Sequence, residues 1–116
     1  MTAPAVSEAT FTNQVIEVAE MLGWKVAHFR PSRTMHGWRT AVQGNGGVGW
    51  PDLTIWKGQR LIFAELKSDS GRLTPEQAAT IAELRETGAE AYIWRPEHFD
   101  AIVTTLRHRI PLRAQR

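Results

Sequence analysis

Asp52, Glu65 and Lys67 lie toward the two ends of one stretch, W-P-D-L-T-I-W-K-G-Q-R-L-I-F-A-E-L-K, from Trp50 to Lys67. Apolar, β-prone runs (Leu53–Trp56 and Leu61–Ala64) flank a short polar turn containing Gly58, the pattern of a β-hairpin. A two-residue Gly58-Gln59 loop suits a type II′ turn, because glycine takes the φ > 0 position at no steric cost. That loop places Asp52 directly opposite Glu65. Side chains alternate between faces, so Asp52, Thr54, Trp56, Leu61, Phe63, Glu65 and Lys67 share one face. Leu53, Ile55, Ile62, Ala64 and Leu66 point to the other. Two carboxylates and an amine thus gather at the open end of a face that is otherwise apolar or aromatic. Charges there need a chemical reason.

A cation supplies one. Two carboxylates a few ångströms apart repel, and both stay ionised only if positive charge lies between them. Hard oxygen ligands with room left for water suit Mg²⁺ or Mn²⁺, and Mg²⁺ commonly takes one or two carboxylates plus phosphate oxygens. Lys67, two residues beyond Glu65, is placed to steady a phosphate or an attacking water. E-x-K alone is a common solvated strand pattern. Pro51-Asp52 and the opposed register turn the reading toward chemistry.

P-D followed by E-x-K across a hairpin resembles the PD-(D/E)xK nuclease superfamily. The longer string G-V-G-W-P-D-L … F-A-E-L-K-S-D-S-G-R-L-T-P-E-Q is similar to its VRR-NUC (virus-type replication-repair nuclease) branch, over about Glu8 to Pro96. The resemblance implies an active site of Asp52, Glu65 and Lys67, with Glu8 and Gln77 as supporting positions. It also implies hydrolysis of DNA phosphodiesters with Mg²⁺, for which Mn²⁺ substitutes. Asp52 and Glu65 would hold the ion, together with the Leu66 carbonyl and, directly or through water, Glu8. Small stand-alone members of the family look like homodimeric Holliday-junction resolvases, and others act on branched or flapped DNA.

The flanking chain supplies the elements that would position this site. Residues 7–22 read as an amphipathic helix capped at or near Ser7, with Phe11, Val15, Val18, Ala19 and Leu22 on one stripe. Glu8 falls on that stripe. It is either a helix-start acid favoured by the dipole or a site residue reaching in. Glu17 and Glu20 fall on the solvated side. Gly23 ends the helix, and Trp24–Arg30 reads as a strand on which His28 is structural or exposed rather than a ligand.

Residues 31–50 read as a long loop carrying Arg33, His36, Trp38 and Arg39, then G-N-G-G-V-G. Positive groups interleaved with tryptophan suit phosphates and unstacked bases; a floppy insertion is the equal alternative. Asn45 and Arg72 complete the expected nucleic-acid-binding set. Gly44, Gly46 and Gly49 match G-x-G-x-x-G only formally, since the dinucleotide motif must follow a strand and open a helix. No nucleotide cofactor is expected. The glycines are expected to let the backbone pass close to a metal site or to DNA.

After Lys67 the chain bends into Thr74-Pro75-Glu76-Gln77, with Thr as N-cap, Pro at N1 and Gln77 closing a capping box. Gln77 also shares a stripe with Ile81 and Leu84, so it either caps or reaches a phosphate or water near Glu65. This helix ends near Gly88. Ala89–Trp94 reads as a strand parallel to the hairpin's second strand through a right-handed crossover. A last helix from about Glu97 would bury Phe99, Ile102, Val103, Leu106 and Ile110 before Pro111, leaving Leu112–Arg116 frayed. The order is αβββαβα: an α/β, restriction-endonuclease-like core with a mixed central sheet flanked by helices. One domain is expected over 1–116, with its core at about 7–110.

Composition narrows the class. With 42% apolar and 22% charged residues the chain reads as a soluble globule, and with no cysteine it can form neither disulfides nor thiolate zinc sites. No apolar run approaches the ~20 residues of a membrane helix, and Met1–Ser7 lacks a signal-peptide pattern. The expected location is intracellular, in the cytoplasm of a prokaryotic or virus-infected cell. The net charge of +2 is unevenly spread: no acid lies between Glu20 and Asp52, or after Asp100, while arginines do. That suits a polyanionic partner such as branched DNA. The leading expectation is a homodimeric, structure-selective, Mg²⁺-dependent endonuclease. The alternatives are a DNA-binding module with a relict site, and a restriction-like or repair nuclease subunit working with a larger partner.

Overall fold

The computed structural model describes residues 5–29, 32–34, 37–39 and 42–109, with the backbone alone at 32–34 and 37–39. Helix α1, Glu8–Met21, starts where Ser7 accepts the Thr10 N–H through its side chain. Its stripe of Phe11, Val15 and Ala19 is fully buried. Leu22 caps the helix and Gly23 follows at φ +92°, the left-handed geometry that favours glycine. Lys57 Nζ donates to the Leu22 carbonyl at 2.6 Å, fastening this helix end to the hairpin turn.

Strands β1 (Lys25–His28), β4 (Leu53–Lys57), β5 (Arg60–Leu66) and β6 (Glu90–Trp94) form one sheet in the order β1-β4-β5-β6. The first two junctions are antiparallel and the last is parallel. In the β4–β5 hairpin Leu53 pairs with Ala64 and Lys57 with Arg60, the register expected for a Gly58-Gln59 loop. Gly58 has φ +58°, and no described non-glycine residue has a positive φ. A type I′ turn needs both central residues positive, so this is the II′ pattern.

The expected division of faces holds. Leu53, Ile55, Ile62, Ala64 and Leu66 have no exposed surface and pack with Phe11, Val15 and Ala19 of α1. Ile102 and Leu106 of α3 (Phe99–Arg107) complete that core. Each fully buried leucine, isoleucine or phenylalanine contributes about 1.5–3 kcal/mol relative to exposure. Helix α2, Pro75–Glu86, packs on β6 from the opposite side, with Ile81 buried. Arg85 Nε donates to the Ala91 carbonyl at 2.8 Å and fixes the end of α2 on the strand.

Two expectations need correction. The stretch read as one long loop contains two short strands, β2 (Ser32–Thr34) and β3 (Gly37–Arg39), paired antiparallel with Arg33 opposite Trp38. β-prone Thr34 and Trp38 on either side of a short connection allow local pairing to satisfy backbone groups a loop would leave to water. The last helix opens as a 3₁₀ turn, Pro96–His98, before α3. Gly49, at φ +85°, is shaped by close packing against α2: a Cβ there would lie 2.5 Å from the Glu76 carbonyl oxygen. Gly44 and Gly46 face open space. As read from the sequence, the glycine run leads into β4 and not into a helix. His36, Ile110, Pro111 and Leu112–Arg116 lie outside the described residues.

Candidate active site

Asp52 immediately precedes β4, behind a buried Pro51 that presets the backbone. Its carbonyl accepts the Phe29 N–H at 2.8 Å, continuing the β1–β4 ladder by one residue. Its side chain turns the other way across the hairpin, and Oδ2 accepts the Leu66 N–H at 2.9 Å. Leu66 therefore gives its side chain to the core and its amide to Asp52. Glu65, just before it, points to the opposite face of the sheet.

There Glu65 is only 1% exposed. Oε2 accepts a hydrogen bond from Gln77 Nε2 at 3.3 Å. Oε1 is buried without any hydrogen-bond partner among the described residues. Burial pushes the Glu65 carboxyl up to about 9, helped by a hydrogen bond to Asp52 and by that residue's negative charge. The Lys67 ammonium pulls it down, and Glu8 adds a smaller upward push. Two carboxylates share a hydrogen bond only when one of them carries the proton. Without a cation the Glu65 carboxyl therefore holds its proton well above the usual carboxylate range, chiefly because it is buried, and once it ionises Oε1 has no donor.

Those features match a divalent-cation site. A cation would satisfy Oε1, replace the shared proton and let both carboxylates ionise. Among the described residues no three histidines, cysteines or acids gather as a ready-made cage. Two carboxylates with the rest of the shell left open is the arrangement that suits Mg²⁺.

Gln77 caps its helix, as one of its two expected roles requires, and also contacts Glu65 directly. Its N–H donates to Thr74 Oγ1 at 3.1 Å and its Oε1 accepts the Thr74 N–H at 2.9 Å, a complete capping box, while Nε2 serves Glu65. Lys67 is half-buried, its N–H donating to the Trp94 carbonyl at 3.0 Å. Glu8 is exposed at the start of α1 and acts on Glu65 through its charge. Trp50 packs edge-on against Phe63, with ring centroids 5.4 Å apart.

Of the expected DNA-contacting residues, Arg33, Trp38 and Arg39 have their backbones on the β2–β3 hairpin. Asn45 is exposed and borders a groove of about 400 Å³ between the glycine-rich segment and α2. Arg72 is exposed in the β5–α2 connection. Sequence reasoning missed Arg95, whose Nη1 donates to the carbonyls of Ser68 at 2.6 Å and Gly71 at 2.7 Å. Its partners are far away in sequence, and no local pattern announces them. It also missed the buried Arg60–Glu90 pair, for which a signal existed: both charges have the parity of the core face.

An α-helix, an antiparallel hairpin and a parallel crossover strand, with P-D opposite E-x-K, define a PD-(D/E)xK-type, restriction-endonuclease-like fold. Residues 6–96 match the VRR-NUC domain, and the chain belongs to that family of nuclease domains. Two solved structures of this family share its fold. One, a "VRR_NUC domain", has a TM-score of 0.65 at 20% identity, covering 91% of this chain and 100% of that one. The other, a "VRR_NUC domain protein", has a TM-score of 0.62 at 21% identity over 90% and 88%. A looser likeness, TM-score 0.45 at 17% identity over 74% and 66%, is to Hjc, a Holliday junction resolvase of the archaeon Archaeoglobus fulgidus. Among curated proteins, no sequence matches. No helix among the described residues is long and apolar enough to cross a membrane.

Proposed function

We propose that the chain is a Mg²⁺-dependent DNA endonuclease selective for branched DNA. The observation that carries this reading is the buried Glu65 carboxyl, one oxygen unpartnered, facing an Asp52 already held by the Leu66 amide. Asp52 and Glu65 would hold the ion, with the Leu66 carbonyl and Glu8 completing or supporting its shell, and Mn²⁺ would substitute. When bound, the ion lowers the pKa of water and offsets charge on the scissile phosphate. Lys67 orients the attacking water and stabilises the extra negative charge of the transition state. Gln77 holds Glu65 in the rotamer that faces Asp52. Arg33, His36, Trp38, Arg39, Asn45 and Arg72 would contact phosphates and unpaired bases.

A homodimer would set two active sites on opposite strands of a junction. The test is a cleavage panel of labelled junction, flap, duplex and single-stranded DNA across a Mg²⁺ titration, with Asp52→Ala as control. Mg²⁺-dependent nicking of the junction above the other forms, lost in Asp52→Ala, is expected. Binding without cleavage at any Mg²⁺ or Mn²⁺ concentration would favour the DNA-binding module with a relict site.

A further inference from the structure

Lys67 leaves the sheet at the end of β5 and enters the polar turn Ser68-Asp69-Ser70-Gly71, which has no apolar side chain to anchor it. The turn closes on itself through the Gly71 N–H donating to the Ser68 carbonyl at 3.1 Å. The carbonyls of both these residues accept from one nitrogen, Arg95 Nη1, at 2.6 and 2.7 Å. A second tie joins the same two segments: Asp69 Oδ1 accepts the Glu97 N–H at 3.1 Å. Arg95 follows directly on Trp94, whose carbonyl accepts the Lys67 N–H at 3.0 Å. The lysine stem lies along the turn, since a Cβ placed on Gly71 would sit 3.5 Å from Lys67 Cδ.

We propose that Arg95 is a positioning residue for Lys67: by clamping the Ser68–Gly71 turn it fixes the surface along which the lysine stem runs toward Glu65. The proposal rests on Lys67 acting at the scissile phosphate as described above. A side chain that must meet a phosphate and a water together tolerates little displacement, and a misplacement of about 1 Å costs on the order of 10²-fold. Charge alone does not explain the arrangement, because both partners of the guanidinium are neutral carbonyls. What they require is a donor group at one point in space. Arg95→Met keeps the aliphatic stem and removes every donor, while Arg95→Lys keeps a cation with several donors.

Two measurements on the full chain test this. In the first, wild type, Arg95→Met and Arg95→Lys are acetylated with a limiting N-hydroxysuccinimide ester, and modification of Lys67 is read by mass spectrometry against Lys25 and Lys57. Lys67 should react several-fold faster in Arg95→Met, close to the wild-type rate in Arg95→Lys, with Lys25 and Lys57 unchanged. In the second, Mg²⁺-dependent cleavage should lose about 10–100-fold in kcat at constant KM in Arg95→Met, with most of it restored in Arg95→Lys. Added to Lys67→Ala, Arg95→Met should cost almost nothing more, since both act through one group. Unchanged Lys67 labelling, or an equal rise at all three lysines, overturns the proposal. So does a raised KM with unchanged labelling, which would make Arg95 a direct DNA contact. If wild type cleaves nothing, the nuclease reading fails by itself, and the labelling still decides whether Arg95 holds Lys67.

Discussion

Gln77 Nε2 donates to Glu65 Oε2 at 3.3 Å because the other end of the same amide is committed to Thr74. Capping geometry requires the amide oxygen toward Thr74, so the nitrogen must face Glu65. Helix initiation thereby orients a side chain at the candidate site.

Two variants separate the roles of that amide. Thr74→Ala removes the cap but leaves the Gln77–Glu65 contact. It should cost about 0.5–2 kcal/mol of stability with cleavage of the folded protein little changed. Gln77→Ala should cost a similar amount and also reduce cleavage about tenfold, through a less constrained Glu65. Urea melts beside single-turnover rates distinguish them. Equal rates in the two variants would leave Gln77 as a cap alone.

Protonation of Glu65 makes metal-free stability depend on pH in a defined direction. The carboxyl rises from 4.5 to about 9 on folding, so between those values the folded state holds a proton the unfolded chain has lost. The stabilisation is complete below about 4.5 and is lost progressively as pH rises toward 9, with a slope of at most ~1.4 kcal/mol per pH unit for one proton. Thermal melts in EDTA should therefore fall from pH 5 to pH 9. Glu65→Gln, which keeps the shape without the titration, should flatten that dependence, and Mg²⁺ should oppose the fall in wild type. A flat wild-type profile in EDTA would contradict the buried protonated carboxyl.

Much of this site was legible because hairpin parity is unforgiving. A two-residue loop fixes every cross-strand pair, so Asp52 opposite Glu65 followed from counting, and so did the buried stripe from Leu53 to Leu66. Capping chemistry was local too, and Ser7, Gly23, Thr74 and Gln77 stand where their residue types put them. What stayed hidden depends on pairs far apart in sequence. Arg95 reaches back to Ser68, and Gly49 is needed because α2 returns to press on it. The short β2–β3 pairing was missed because three-residue strands carry no periodicity to read.

Glu8 and Glu17 provide an internal control for the charge around Glu65. Glu8 is the acid of α1 whose field raises the Glu65 carboxyl, whereas Glu17 lies on the exposed side of the same helix. Glu8→Gln should make the pH-dependent loss of metal-free stability smaller and end it at a lower pH, because Glu65 then ionises more easily in the folded state. If Glu8 also helps hold the ion, cleavage at limiting Mg²⁺ should fall and partly recover as Mg²⁺ is raised. Glu17→Gln should alter neither, as expected of a surface position. Melts across pH and rates across Mg²⁺ for both variants check this; matching behaviour would remove Glu8 from the site's electrostatics.

On the other face of the sheet, the Arg60–Glu90 pair should matter to folding and not to cleavage. Arg60 Nη2 and Nε donate to Glu90 Oε1 and Oε2 at 2.6 and 3.0 Å, and Tyr92 Oη donates to Oε1 at 2.7 Å. Arg60 Nη1 reaches the carbonyls of Thr105 and His108, at 2.8 and 2.7 Å, and so ties the end of α3 to the hairpin. The guanidinium lies 5.1 Å over the Trp24 ring, whose Nε1 donates to the Leu106 carbonyl at 3.0 Å. Burial and the neighbouring Glu90 carboxylate also push the Tyr92 phenol above its ordinary range. Removing one partner strands the other charge where water cannot reach it, which costs about 3–5 kcal/mol. Arg60→Met and Glu90→Leu should each lose that much in urea melts, a large share of the ~5–15 kcal/mol holding a domain of this size. Combined, they should lose clearly less than the sum, since no unpaired charge remains. Below the melting transition, cleavage per folded molecule should match wild type in all three variants. A selective loss of turnover in Glu90→Leu, at a temperature where it is fully folded, would connect this buried pair to the site across the sheet.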